Sequence, residues 1–193
     1  MSNLLKNTAK LAFNIIHSYI DQETIAVDAT CGNGHDTMSL IEAGCKHIYA
    51  FDIQKSAIDN TKKLLIDNHI DLSNVSLIND SHINMSNYVP AAKVIMFNLG
   101  YLPGSDKSIV TTSASTLSAV KNALSILDVN GICSIAMYSG HLQGKEEKET
   151  LLEMAKNLDK SLFHVAYINF INQPNNPPEL LLITKKKGFN NEN

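Results

Sequence analysis

The run VDATCGNGHDT, residues 27–37, places an acidic side chain, Asp28, at the end of an apolar stretch and follows it with Gly32 and Gly34 at the mouth of a helical pattern. Glycines at such a turn admit backbone conformations closed to other residues and let a ligand come close to the main chain. A dinucleotide loop would read GxGxxG, but Thr37 stands where its third glycine is expected. An acidic residue ahead of the glycines suits instead a ligand carrying an amino group and a cationic sulfonium, because a carboxylate pairs with positive charge. The candidate cradle is Asp28, Cys31, Gly32, Asn33, Gly34 and His35. The competing reading is a plain strand-to-helix turn in which Asp28 only caps the helix. Asp52, in AFDIQ, lies about 20 residues beyond the glycines, where a carboxylate accepts both hydroxyls of a ribose. Gln54 follows and is placed to touch ribose or adenine. Asp80, Ser81 and His82, in INDSH, follow a third strand-like run at the position that flanks an adenine, and helix capping by Asp80 or Ser81 is an equally physical reading.

Two further segments have the chemistry of a substrate site. IMFNLGYLPGSDKS delivers Asn98 to the end of an apolar strand and presents Tyr101, Asp106 and Lys107 on a loop containing glycine and proline. Asn98 and Tyr101 have the spacing of the NPPY-type motif of amino methyltransferases, with Leu99 and Gly100 in place of its prolines. In that motif a polar side chain and a backbone carbonyl hold a target nitrogen while the aromatic ring stacks on a base. The plain alternative is a strand followed by an irregular loop. MYSGHLQGKEE brings Tyr138, His141 and Lys145 into a loop bracketed by glycines, with Lys148, Glu146, Glu147 and Glu149 reading as a solvated helix start. A lone histidine such as His141 is more often structural than catalytic, and proton transfer is the alternative.

These residues need a scaffold that brings strand ends together, and the pattern supplies one. Strand-like runs at 25–28, 48–52, 75–79, 94–98, 132–138, 165–169 and 180–184 alternate with helical ones at 35–43, 55–68, 112–127 and 145–158, after an opening helix within 1–22. Such alternation predicts parallel strands joined by right-handed crossovers, helices on both faces, and ligands at the carboxyl ends of the strands. Only residues 172–178 separate the last two strands, too few for a crossover, so an antiparallel hairpin is expected. The fold class is therefore α/β, a Rossmann-like seven-stranded and mainly parallel sheet closed by a C-terminal hairpin, in a single domain over 1–193 with a frayed tail over 185–193.

Composition narrows the rest. The chain has 193 residues, is 44% hydrophobic, and lacks the roughly 20-residue apolar run of a membrane span. With three scattered cysteines and no signal-peptide pattern, it is expected to be cytoplasmic with reduced thiols and no metal site. A net charge of -3, with lysine as the sole strong base, argues against coating nucleic acid by bulk charge, but a local lysine patch can grip a few phosphates.

Taken together, DATCGNGHDT, FDIQ, NLGYLPGSDK, GHLQGKEE and the late NQPNNPPELLLI resemble the YtqB-like (MnmM) family of S-adenosylmethionine-dependent tRNA wobble-uridine methyltransferases, a group also described as rRNA methylases. The resemblance spans essentially the whole chain, and NLGYLPG with the following Asp-Lys is its most specific part. It implies S-adenosyl-L-methionine as cofactor, N-methylation of 5-aminomethyl-2-thiouridine in a tRNA anticodon stem-loop, and a homodimer. Under it, Asn98 orients the amine, Tyr101 stacks on the base, Asp106 or His141 accepts a proton, and Lys107, Tyr138 and Lys145 contact the RNA. The rivals are a methyltransferase for ribosomal RNA or a small amine, an NAD-dependent oxidoreductase, and a noncatalytic RNA-binding module.

Overall fold

Apolar side chains alternating between two faces organise the sheet. The computed structural model describes residues 7–100, 113–140, 142–174 and 176–187. Seven strands, β1 (Ile25–Asp28), β2 (His47–Phe51), β3 (Val75–Ile78), β4 (Ala92–Leu99), β5 (Leu127–Met137), β6 (Phe163–Ile168) and β7 (Glu179–Lys185), form one sheet of order β3-β2-β1-β4-β5-β7-β6. The first five run parallel, and β7 lies antiparallel between β5 and β6. This is the Rossmann-like sheet with a closing hairpin that the alternation predicts.

The parity is strict. Val27, Ile95, Phe97, Cys133, Ile135, Leu181 and Ile183 pack on one face beneath α4 (Ser113–Ile126) and α5 (Leu142–Lys156). Ala26, Ile48, Val94, Met96, Ile132, Leu180 and Leu182 pack on the other against Leu11 and Ile16 of α1 (Thr8–His17) and Leu40 of α2 (His35–Glu42). On that side α3 (Lys55–Asp67) adds Ile58, in contact with Ala50 and Cys31. A strand covered on both faces reads as a continuous apolar run, which is why VIMF in β4 carries no polar alternation.

Several boundaries differ from those the sequence pattern predicts, and those of α1, β5 and α5 have a visible physical reason. The opening helix is described only as Thr8–His17: the Asn7 side chain caps its start, and a turn in which Asp21 and Thr24 exchange hydrogen bonds of 2.8 and 2.9 Å follows its end. β5 begins at Leu127, directly after α4, instead of at 132. Leu127 pairs with Ala92, the ladder breaks at a bulge, and pairing resumes at Val94 and Ile132. Asn130 takes a positive φ of 62° in that bulge, and a Cβ on Gly131 would lie 2.7 Å from the Lys93 carbonyl oxygen. α5 starts at Leu142 and runs through Gly144, so tertiary packing overrides the propensity cost of an interior glycine.

The lysine tail also has a structural part. β7 includes Lys185, whose ammonium donates to the Leu127 carbonyl at 2.7 Å, and Lys186 donates to the Lys160 carbonyl. Both sit at the amino end of the parallel strands, opposite the end where the motifs converge. Residues 188–193 lie outside the described ones. Among the described residues no helix is long and apolar enough to cross a membrane.

Ile16 is fully buried and ties α1 to the sheet. Ile16→Ala is expected to lower stability by roughly 2–5 kcal/mol, read as a lower urea midpoint in chemical denaturation.

Candidate active site

The glycine turn is folded around a buried carboxylate. Asp28 ends β1 only 1% exposed; its Oδ2 accepts the Thr37 hydroxyl at 2.6 Å and its Oδ1 accepts the Thr30 amide at 3.3 Å. The expected direct pairing of Asp28 with a ligand's positive charge is therefore replaced by a place beneath the turn, where it acts through the backbone it holds. Thr37, which stands where a dinucleotide loop has a glycine, supplies the hydroxyl that fixes it. Gly32 and Gly34 adopt positive φ of 51° and 85°. At Gly34 a Cβ would lie 3.0 Å from the Thr61 Cα, so α3 crosses too close for a side chain there. The Thr61 hydroxyl donates to the Gly32 carbonyl at 3.0 Å and lies 3.6 Å from the buried Cys31 sulfur.

Asp52 binds the turn to the next strand end. Its Oδ2 accepts the Gly32 amide at 3.1 Å and its Oδ1 accepts the Gln54 amide at 2.9 Å. A carboxylate has about four lone-pair sites, so each oxygen keeps capacity for a hydroxyl donor. Asn79, which the sequence pattern places inside a strand, lies just past the end of β3 and clamps this corner by donating to the Asp52 and Ile53 carbonyls, both at 3.0 Å. Gln54 caps α3 without using its side chain. Asn33 accepts from the Asn60 amide at 3.2 Å, and His35 is exposed at the start of α2.

The INDSH segment divides. Asp80 accepts the Tyr88 hydroxyl at 2.8 Å, the Asn84 amide at 3.0 Å and the Ser81 backbone N–H at 2.7 Å, bonds that hold it below the usual carboxylate range, Tyr88 contributing most. Ser81 caps the 3-10 turn that follows. His82 is displaced from the ligand face: 7% exposed, it has Nδ1 3.1 Å from the Ala29 carbonyl and its ring edge-on to Phe97. Burial lowers its pKa, and Nδ1, facing a carbonyl oxygen, is the donating nitrogen.

At the substrate end, Asn98 leaves β4 with its backbone N–H on the Thr30 hydroxyl at 2.8 Å and its side-chain Nδ2 on Oδ2 of Asp36 at 3.3 Å. Asn98 Oδ1 is buried and has no hydrogen-bond partner among the described residues. Tyr138, half-buried after β5, packs under Gly100, where a Cβ would lie 3.1 Å from its ring. Burial, and then the Asp36 charge, raise its pKa. Asp36, on which the Asn98 side chain rests, is not among the residues the sequence singles out; its signal is an acid in the first turn of the helix opened by the glycines. Tyr101, Asp106, Lys107 and His141 lie outside the described residues. Lys145 is exposed, but its neighbours are not a merely solvated face: Glu147 is buried on the Thr116 hydroxyl, and Lys148 pairs with buried Glu179 at 2.9 Å. Among the described residues no group of three His, Cys, Asp or Glu side chains could hold a metal ion.

A parallel sheet with β7 turned back between β5 and β6, and a carboxylate-anchored glycine turn leading to a second carboxylate, define a Rossmann-like methyltransferase architecture. The chain belongs to the family described as "Putative rRNA methylase", the YtqB-like group, whose profile matches residues 48–184. It is 37% identical over 182 residues to the Arabidopsis thaliana chloroplastic tRNA (mnm5s2U34)-methyltransferase; the match covers 88% of this chain, which spans 66% of that protein's length. A Clostridium thermocellum protein described in the family's terms superposes with a TM-score of 0.89 at 42% identity, over 93% of this chain and 98% of its own. A Streptococcus mutans protein solved in complex with SAH gives a TM-score of 0.85 at 38% identity, over 93% and 98%.

Burial, and secondarily the Asp36 charge, raise the Asp28 pKa from 3.8 to about 7. Between those values unfolding releases its proton, so this group's contribution to stability is complete below the lower value and lost as pH rises to the upper. Asp28→Asn removes that dependence. Relative to the native protein, the variant is expected to gain stability steadily as pH rises from about 4 to about 7 in urea denaturation, and a flat difference would contradict the buried site.

Proposed function

We propose that the protein transfers the methyl group of S-adenosylmethionine to the aminomethyl nitrogen of 5-aminomethyl-2-thiouridine at U34 of tRNA. The observation that carries this reading is Asn98 Oδ1, a buried acceptor without a partner among the described residues, beside a turn suited to an adenosyl ligand. An attacking amine needs such an acceptor to orient its N–H. The name of the Arabidopsis relative supplies the RNA and the position.

Asp52, with Gln54, would hold the ribose; the turn from Cys31 to His35 would receive the amino acid part of the cofactor, and Asp80 and Ser81 would border the adenine. When bound, the cofactor supplies an electrophilic methyl on a positive sulfur. The nitrogen lone pair forms the new N–C bond as the C–S bond breaks and its electron pair goes to sulfur. An alkyl amine has a pKa of roughly 10, so it must shed a proton first. We assign that proton to Asp106 or His141, the stacking of the thiouracil to Tyr101, and phosphate and ribose contacts of the anticodon stem-loop to Lys107, Tyr138 and Lys145. Recognition of an unpaired base needs stacking and a modest basic surface, which a chain of net charge -3 can provide.

The working form would be a homodimer. Exposed Val165, Tyr167 and Ile171 on and after the edge strand β6 support this. Free thiols at Cys31, Cys45 and Cys133 suit a reducing compartment, and we place the reaction in the cytoplasm.

The test is incubation of purified protein with S-adenosylmethionine and tRNA from a strain lacking the enzyme, followed by nucleoside mass spectrometry. The expected product is the substrate nucleoside heavier by one methyl, and Asn98→Ala should reduce its formation by about 10²-fold. Cofactor binding without conversion would reject the tRNA assignment and favour ribosomal RNA or a small amine.

A further inference from the structure

The two ends of an amide are chemically opposite, and only one of them serves an attacking amine. A carbonyl oxygen accepts the amine's N–H and leaves its lone pair free for the methyl carbon. An amide N–H in the same place would donate to that lone pair and block it. The end of Asn98 that faces the substrate is therefore decided by whatever holds the other end.

Asp36 holds it. The Asp36 carboxyl stands in the first turn of α2, half-buried, with Oδ2 3.3 Å from Asn98 Nδ2. An ionised carboxylate only accepts, so it selects the NH2 end of the amide. Asn98 cannot evade the choice by swinging away, because its backbone N–H is fixed on Thr30 at 2.8 Å and Tyr138 is wedged beneath Gly100 on the other side. The consequence is visible in Oδ1, which is buried and unpartnered among the described residues. Asp28 on β1, His35 on α2 and Tyr138 after β5 are the titratable groups electrostatically coupled to Asp36. Burial raises its pKa, while the Asn98 hydrogen bond and His35 lower it, so the bond to Asn98 favours the acceptor form.

We propose that Asp36 is the positioning residue for methyl transfer: it takes the amide N–H of Asn98 and thereby presents Asn98 Oδ1 to the incoming amine. This rests on the amine-methylating function proposed above. Asp36 orients the residue that touches substrate and takes no part in bond making.

Three variants and two readouts test it. Asp36→Ala and Asp36→Ser remove the acceptor within reach of Asn98; Asp36→Asn removes the charge but can still accept through its own Oδ1. Single-turnover methylation of 5-aminomethyl-2-thiouridine tRNA should fall about 10²-fold in Asp36→Ala or Asp36→Ser with cofactor affinity held, and Asp36→Asn should recover all but about tenfold of it. Native turnover in the Ala and Ser variants would overturn the proposal. So would an Asn variant as impaired as they are, since charge rather than orientation would then be the cause. The second readout needs no activity: the Asn98 side-chain 15N–1H resonances should stay closer to their native shifts in Asp36→Asn than in Asp36→Ala or Asp36→Ser. If the native protein fails to methylate the amine, the function assigned above is wrong and this readout alone decides; unmoved Asn98 resonances in Asp36→Ala and Asp36→Ser overturn the orientation.

Discussion

The Asp28 carboxyl group, 1% exposed at the end of a central strand, is the point around which the ligand end of the sheet is folded. The Thr37 hydroxyl and the Thr30 amide converge on it, one from the helix after the glycines and one from the turn before them. Thr30 in turn fixes the backbone of Asn98 on the neighbouring strand. Asp52 adds a second brace by accepting the amide of Gly32. The glycine turn and Asn98 thus share one hydrogen-bonded frame, which under the proposed function would register a methyl donor held by the turn against Asn98.

That frame concentrates negative charge. Asp28 and Asp36 sit close enough that the charge of Asp36 raises the pKa of Asp28, and burial raises both. Burying carboxylates is costly without compensation, and a ligand with positive sulfur and ammonium groups favours their ionised forms. On the function proposed above, this concentration of carboxyls would favour a cationic ligand over a dinucleotide, whose phosphates would meet like charge. No glycine fingerprint makes this distinction by itself.

The fold is legible in the sequence because short apolar strand runs alternate with helical periodicity: β1 falls on the residues its pattern predicts, and the hairpin follows from the short link between β6 and β7. Glycine rules mislead at two boundaries. Gly144 lies inside α5, and Asn130 with Gly131 forms a bulge within β5 rather than a linker. At the site, strand ends identify Asp28, Asp52 and Asn98, since residue type and position suffice. They do not identify burial: His82 turns inward onto Phe97, and Asp28 lies under its turn. Asp36 escapes notice in the sequence because its partner, Asn98, is far away in the chain, and Thr37 is noticed only as a missing glycine because its bond to Asp28 is hidden in the turn.

The most direct measurement is a crystal structure of the protein with S-adenosylhomocysteine and an anticodon stem-loop carrying 5-aminomethyl-2-thiouridine. The account predicts the ribose hydroxyls on Asp52 and the aminomethyl nitrogen about 3 Å from Asn98 Oδ1, facing the sulfur. An amine held elsewhere, or an adenosyl group bound away from the Gly32 turn, would contradict it.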